Sequence, residues 1–475
     1  MSGFKQLGLP NWLVDSLQAM KIFTPTEIQK NCIPPILLKG MNCIGGARTG
    51  SGKTIAFAAP MLAQWSKDPI GLYGMVLTPT RELAQQIAEQ FNALGANMNI
   101  RVSLIVGGED YIKQTIELSS MPHFIIATPG RLAHHLMNDN NNNNNGSSSN
   151  SNSSSSNNNN NNNSSSSSST DNQSNKLAQS LKRLKFLVLD EADFLLTETF
   201  ADDLKTIISN LPQKENRQTL LFTATITDQV KSLIGNNNDQ KNNFFLYEME
   251  NSDSSSVSSD LVDQNNTIKV IPSTLSLYYV MIPEHVKEAY LYHIITSPRY
   301  KESTTIIFSN RTHVVELLRR ILYKLDVRVT SLHSQMPQQE RTNSLHRFRA
   351  NVARVLVATD VASRGLDIPQ VELVINYDIP MDPDVFIHRS GRTARAGKHG
   401  DALSFITPKD VNRILAIENR INEKMKEYDE VFDTAVIKKS LNKVTRAKRE
   451  SLMLMEKEGF GERRSKQRER AKRRR

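Results

Sequence analysis

The feature that most constrains this chain is a recurring pattern of short, unbroken, β-rich apolar runs separated by helix-sized segments. In the first half the runs are "NCIGGA", "YGMVLT", "VSLIV", "HFIIAT" and "LKFLVLD"; in the second they are "TTIIFS", "RVLVAT", "ELVINY" and "ALSFIT". A strand covered on one face alternates apolar and polar residues, whereas a continuous β-branched run fits a strand buried on both faces. Such runs alternating with helices imply an α/β fold built on parallel sheets. At 475 residues the chain is too long for one ordinary core, and about 150–200 residues per domain gives two or three. Two α/β domains are therefore expected.

Composition marks the breaks between them. Residues 138–175 are almost wholly Asn and Ser, with nothing apolar to offset the entropy of ordering, so a disordered insert in a surface loop is expected. A second polar run, 235–266, is interrupted by "FFLYEME" and is expected to contain an interdomain linker. No internal repeat is clear. The resulting division is a first domain over 1–234, a linker region over 235–266, a second domain over 267–420 and a basic extension over 421–475.

The net charge of +10 sits at one end: residues 438–475 hold 16 Lys and Arg against five Glu, leaving 43 basic and 44 acidic residues before them. A tail ending "RRSKQRERAKRRR" suits phosphate contact or nuclear import, with a solvated helical extension as the bland alternative. Cys32 and Cys43 are the only cysteines, too few for a disulfide framework. No apolar run reaches the roughly 18 residues that span a bilayer. A soluble protein of a reducing compartment, without a secretory signal and without a membrane partner, is expected.

The chemistry begins after the first strand, at "ARTGSGKT". Between Ala47, Arg48 and Thr49 on one side and Lys53 and Thr54 on the other, Gly50, Ser51 and Gly52 let the backbone turn its N–H groups toward phosphate oxygens. Lys53 adds a point charge and Thr54 a hydroxyl for Mg²⁺. This is a Walker A loop with Ala47 where the first Gly usually stands, and "IAFAAPML" can continue it as a helix. A phosphate loop with Mg²⁺ needs a carboxylate at the end of a buried strand, and "FLVLDEAD" supplies Asp190 and Glu191, with Asp193 beyond. Asp190 is the metal candidate and Glu191 the group placed to deprotonate an attacking water. An acidic turn alone would more often be a helix N-terminus; the Walker A loop tips the balance. Far downstream, "HRSGRTARAG" spaces Arg389, Arg392 and Arg395 by threes, which on a helix would place them along one face.

In order and spacing these motifs resemble those of DEAD-box ATP-dependent RNA helicases of superfamily 2, over roughly Phe4 to Thr407 apart from the insert and linker. The resemblance implies two tandem RecA-like domains with a nucleotide cleft between them, and ATP and Mg²⁺ as cofactors. "PTEIQ" matches the adenine-reading segment, with Gln29 as reader and Phe4 as the upstream aromatic; a glutamine amide suits adenine N6 and N7. Lys21 stands where the family usually has Gly. The RNA-gripping segments of the first domain map onto Pro79, Thr80 and Arg81, onto Gly107 with Gly108, and onto Thr128 through Arg131. They offer groups suited to phosphates rather than base edges. Pro129–Gly130 and Gly107–Gly108 also read as plain turns. "TAT", Thr223, Ala224 and Thr225, replaces the usual Ser-Ala-Thr segment that couples hydrolysis to strand separation.

In the second domain "IIFSN", "QQER" and "ATDVASRGLD" match later motifs. They imply RNA contacts by Arg341, Thr359 and Asp360 and a nucleotide contact by Asp367, with Ser363 in place of the usual Ala. Arg392 and Arg395 match the arginine fingers, His388 a link between nucleotide and RNA sites, and Arg389 a structural or interdomain group. The implied activity is RNA-dependent ATP hydrolysis driving local duplex or RNA–protein disruption by a monomer. An ATP-dependent RNA clamp is the alternative. Similarity to nucleolar members implies pre-rRNA processing and small ribosomal subunit assembly in the nucleus and nucleolus, with pre-ribosomal protein cofactors; an mRNA or splicing helicase is the alternative there.

Overall fold

The computed structural model describes residues 3–47, 50–69, 71–144, 176–224, 230, 244–248, 271, 274–360, 371–394, 398–428 and 434–460. The chain divides into two compact units, Met1–Glu250 and Asn251–Arg475.

The first unit is a seven-stranded sheet made of β1 (Asn42–Gly46), β2 (Gly74–Leu77), β3 (Val102–Ile105), β4 (Phe124–Ala127), β5 (Phe186–Asp190), β6 (Gln218–Thr223) and β7 (Phe244–Glu248), in the order β3-β4-β2-β5-β6-β1-β7. Every adjacent pair is parallel. β2, β4 and β5 are buried at every residue, as their unbroken apolar runs require. One face packs Phe57, Phe91, Phe124, Val188 and Phe222; the other packs Ile44, Met75, Ile125, Leu187 and Leu221. Each such fully buried side chain contributes about 1.5–3 kcal/mol. The helix after the phosphate loop, Lys53–Trp65, is small-residue-rich and lies almost wholly inside, with the Phe57 and Phe222 rings 5.3 Å apart.

The second unit repeats this plan. Its strands are β8 (Leu275–Met281), β9 (Thr305–Phe308), β10 (Val329–Leu332), β11 (Val355–Ala358), β12 (Leu373–Asn376), β13 (Gly400–Ile406) and β14 (Lys426–Glu427), in the order β10-β11-β9-β12-β13-β8-β14. Advancing each strand of the first sheet by seven reproduces this order, so the chain is a structural duplication that its sequence does not display. Burial pattern, not residue identity, sets the arrangement, and many apolar sets satisfy it.

Several boundaries differ from the sequence expectations. Helix Pro129–Asn144 runs into the first residues of the Asn/Ser insert, carried by the turns already formed before it; 145–175 lies outside the described residues. "FFLYE" inside the polar run is β7, the edge strand beside β1. In the basic extension, β14 pairs with β8, and helix Thr434–Lys457 packs Val444, Ala447 and Met455 against Leu317, Ile321 and Leu325. The tail 461–475 lies outside the described residues. Among those described, no helix is long and apolar enough to cross a membrane.

Candidate functional site

The phosphate loop leaves the C-terminal end of β1. Ala47 N donates to Thr223 O at 3.0 Å, so the loop starts where β6 ends. Gly50 and Gly52 take φ of +84° and +91°, which only glycine adopts without strain. Gly52 then caps helix Lys53–Trp65, whose first N–H groups are oriented for an anion. Lys53 is buried and its Nζ donates to Ala47 O at 2.8 Å, spanning the loop. Thr54 is half-buried beside it, and Ser51 Oγ is buried without a hydrogen-bond partner. Arg48 and Thr49 lie outside the described residues.

Gln29 joins this loop directly. Its Oε1 accepts from Thr26 N at 3.0 Å, completing a capping box on helix Glu27–Leu38, and its Nε2 donates to Gly52 O at 3.1 Å. The same amide that suits adenine thus braces the phosphate loop. Phe4 is buried in the core cluster that also holds Ile28 and Cys32, a packing position. Lys21 keeps the turn usually made by Gly: it adopts φ of +61°, and its N donates to Gln18 O at 2.8 Å while Ile22 N donates to Leu17 O at 2.9 Å.

β5, two strands from β1, carries the carboxylates. Asp190 ends the strand and Glu191 follows in the left-handed region, φ +56°, an arrangement that costs a non-glycine residue about 1–2 kcal/mol. Both are buried, and Asp190 Oδ1 and Glu191 Oε2 have no hydrogen-bond partner. Burial, then the neighbouring Glu191 carboxylate, pushes Asp190 up to about 7, against the pull of the Lys53 ammonium. Buried, unpartnered carboxylate oxygens are costly unless a cation neutralises them. The Asp190 carboxylate and the Thr54 hydroxyl are both hard oxygen donors of the kind Mg²⁺ takes. Thr223, in register with Gly46, and Ala224 lie at the end of β6; Thr225 is outside the described residues.

The other half of this sheet edge carries the expected RNA segments, after β2, β3 and β4. Pro79 precedes Thr80, whose side chain caps helix Arg81–Leu94 by accepting from Leu83 N. Arg81 lies over Gly107 and Gly108: with φ of +85° at Gly108, a Cβ there would sit 2.2 Å from Arg81 Nη1. Thr128 N donates to Ile105 O at 3.0 Å. Pro129 and Gly130 start a helix rather than making a plain turn. Arg131 donates to Gln114 Oε1 at 2.8 Å and Glu109 O at 2.6 Å and lies over the Tyr111 ring. Tyr111 in turn stacks on His135 at 4.2 Å. Burial, then Arg131, lowers His135 to about 4, so it stays neutral beside the arginine. This brace of Gln114, Tyr111 and His135 carries no motif of its own.

In the second unit, Asn310, Thr359 and Asp360 follow the ends of β9 and β11, and Arg341 sits buried in helix Gln338–Arg349. Arg389 is fully buried and spent within the unit: Nε donates to Asp360 Oδ1 at 2.6 Å, Nη1 to Asp378 O at 2.7 Å and Nη2 to Asn310 Oδ1 at 2.7 Å. Among the described residues, Arg389 and Arg392 do not share the helix face that the period-three spacing suggested. Helix Pro383–Ser390 carries His388 and Arg389 but stops at Gly391, leaving Arg392 in the following turn, where its N donates to Arg389 O. Arg395 and Asp367 lie outside the described residues. Asp378, unnoticed in the sequence, accepts from Ser309 Oγ at 2.5 Å and Asn310 N at 3.1 Å and pairs with buried Lys287 at 3.4 Å. Its signal was available: "ELVINYD" ends an apolar strand on an acid, as "FLVLD" does.

Comparison with known proteins accounts for these segments together. Residues 26–233 match the DEAD/DEAH box helicase model and 286–397 match the helicase conserved C-terminal domain. The chain is 62% identical to the Candida glabrata protein named ATP-dependent RNA helicase DBP8, over 97% of this chain and 94% of that one. It is 60% identical to the Saccharomyces cerevisiae protein of the same name, over 98% and 97%. Among solved structures, Mss116p bound to single-stranded RNA and AMP-PNP matches with a TM-score of 0.72 at 25% identity, covering 93% of this chain and 81% of that one. S. cerevisiae Dbp5 L327V bound to RNA and ADP BeF3 matches at 0.68 and 27%, covering 94% and 100%. The two parallel sheets are tandem RecA-like domains, and the chain belongs to the DEAD/DEAH box helicase family.

Proposed function

We propose that this chain is an ATP-dependent RNA helicase that uses ATP hydrolysis to disrupt short RNA duplexes or RNA–protein contacts. The observation that carries this reading is the buried Asp190–Glu191 pair, with its unpartnered oxygens, two strands from a phosphate loop whose Lys53 spans it. The names of the relatives and the RNA and nucleotide analogues bound in the similar structures support it.

In this mechanism the loop N–H groups of Ser51 and Gly52 and the Lys53 ammonium hold the phosphates, and Gln29 reads adenine while bracing Gly52. Thr54 and Asp190 would hold Mg²⁺, which when bound neutralises phosphate charge. Glu191 orients the attacking water and accepts its proton. Arg392 and Arg395 stabilise the charge of the transferring phosphoryl group, an effect worth about 10³–10⁵ in rate in related systems. Asp367 supports the nucleotide. Arg81, Gly108, Thr128 and Arg131 in the first unit and Arg341, Thr359 and Asp360 in the second hold the RNA backbone, so binding is largely sequence-independent. Asp360 acts together with Arg389, its partner. Because these groups are divided between units, ATP and RNA favour each other's binding. Thr223, Ala224, Thr225 and His388 carry that coupling. The cellular role we assign is pre-rRNA processing in small-subunit assembly, in the nucleus and nucleolus, with pre-ribosomal protein cofactors and the basic tail adding phosphate contacts.

The test is ATP hydrolysis by the full chain with and without single-stranded RNA, with single-stranded DNA and Glu191→Gln as controls. RNA-specific stimulation abolished in Glu191→Gln is the expected result. ATP-dependent RNA binding without stimulated turnover replaces the helicase reading with an RNA clamp; stimulation that survives Glu191→Gln removes Glu191 as the base.

A further inference from the structure

The helix of the basic extension ends beside a cavity of about 570 Å³ in the second unit. Edge strand β10, helices Thr312–Lys324 and Gln338–Arg349, and Glu458 and Phe460 from beyond the extension helix line it. Two of its walls connect through a chain of polar groups that runs from exposed Glu458 inward to buried Glu316. The Glu458 carboxylate accepts two bonds from Arg320, at 3.0 and 2.6 Å. Arg320 Nε donates to Glu316 at 2.6 Å, and Glu316 accepts two more bonds from Arg319, at 2.8 and 2.6 Å. The far oxygen of Glu316 lies 3.8 Å from His333 Nε2. Phe460 meets the same imidazole directly, edge to face, with centroids 6.0 Å apart.

His333 is therefore held from two sides, once through Glu458, Arg320 and Glu316 and once by Phe460. It is 2% exposed, and its Nδ1 is buried without a hydrogen-bond partner, so packing and the Glu316 side fix its ring. His333 follows β10 and opens the turn in which Met336 N donates to His333 O at 3.2 Å. Pro337 then caps helix Gln338–Arg349, the carrier of Arg341. The extension thus reaches, through one imidazole, the turn that sets where this helix begins. Its own docking is firm: Lys448 pairs with Glu288 at 2.7 Å, Lys324 with Glu450 at 2.9 Å, and Val444, Ala447 and Met455 close an apolar seam.

We infer that Glu458 and Phe460 are positioning residues for RNA binding, holding the His333 turn so that the Arg341 helix is set for the RNA backbone. This rests on the reading of Arg341 as an RNA contact. It gives the described part of the extension a role separate from the charge of residues 461–475, and the two separate by sign and by salt. Glu458→Gln removes a negative charge, which by charge alone strengthens RNA binding; loss of positioning weakens it. A tail of many phosphate-contacting cations steepens the dependence of affinity on salt, whereas a positioning residue changes the slope by no more than the single Arg341 contact it sets.

The experiment measures half-saturation by single-stranded oligo(U) RNA in the ATPase assay of the full chain at several salt concentrations. Wild type is compared with Glu458→Gln, Glu458→Asp, Phe460→Ala, Arg341→Ala and a chain ending at Phe460. Glu458→Gln and Phe460→Ala should each raise RNA half-saturation about five- to tenfold, the scale of a contact acting through its neighbours. Basal hydrolysis and KM for ATP should not change, the salt slope should change no more than in Arg341→Ala, and Glu458→Asp should recover part of the loss. The chain ending at Phe460 should lower the slope instead. If Arg341→Ala weakens RNA binding while Glu458→Gln and Phe460→Ala do not, or Glu458→Gln strengthens it, the inference is overturned. If Arg341→Ala has no effect, the underlying reading of that helix fails, and the inference with it.

Discussion

Gly50 and Gly52 both take positive φ in the phosphate loop, yet the structure gives them different sensitivities to a methyl group. At Gly50 a Cβ would meet nothing within 4 Å, so Gly50→Ala bears only the left-handed backbone cost, about 1–2 kcal/mol. At Gly52 a Cβ would lie 2.3 Å from Gln29 Nε2 and 3.2 Å from Thr26 Oγ1. Gln29 is 1% exposed and cannot move aside into solvent; it must release Gly52 O, a hydrogen bond worth about 1 kcal/mol. Gly52→Ala therefore costs about 2–3 kcal/mol in the nucleotide-binding conformation, and at 1.4 kcal/mol per tenfold it should weaken ADP binding about fivefold more than Gly50→Ala. Titration with a fluorescent ADP analogue reads both constants. Repeating the pair in a Gln29→Ala background isolates the clash, because there the two alanines should cost nearly the same. Equal losses in the wild-type background, or a Gly52→Ala excess that persists without Gln29, would refute the bracing of the phosphate loop by Gln29.

Three further outcomes follow from single positions. Lys21→Gly relieves a left-handed lysine while keeping the turn, so it should stabilise the first unit by about 1 kcal/mol; a lower melting midpoint would show the lysine to be needed for more than the turn. Burial alone would raise the Glu316 carboxyl, but the hydrogen bonds from Arg319 and Arg320, with His333 close by, hold it well below its ordinary 4.5. Its stabilisation is therefore present above pH 4.5 and lost as pH falls below it, so Glu316→Gln should flatten the acid limb of a pH–melting profile, and parallel limbs would contradict this. Asp378→Ala leaves buried Lys287 without its ionic partner and held only by Tyr377, whose O accepts from it and whose ring lies beneath it, at a cost of about 2–4 kcal/mol, set toward the lower end by that contact and by the 27% exposure of the Asp378 side chain. Adding Lys287→Met should recover part of that loss in denaturant melts; simple additivity would show the pair to be uncoupled.

What the sequence displayed and what it hid divide along physical lines. The strands were legible because burial on both faces admits only apolar residues. The phosphate loop and Asp190–Glu191 were legible because both contradict ordinary packing: glycines ahead of a lysine, and paired acids at the end of an apolar run. The packed seam of the extension helix was not legible because charge dominates its count, although Val444, Ala447, Ser451 and Met455, all buried, recur at helical spacing; Ala and Ser do not announce a seam. Period-three arginines suggested one face, but spacing describes a face only while the helix lasts, and Gly391 ends it. Arg389 shows the deeper reason. Its chemistry was visible as an arginine, but its partners, residues 310, 360 and 378, follow three strands that become neighbours only in the order β11-β9-β12. A motif is read along the chain, whereas the work of a buried cation is fixed across the sheet. Asp378, which no spacing marks, therefore holds as much of this strand-end network as the arginine that spacing does mark.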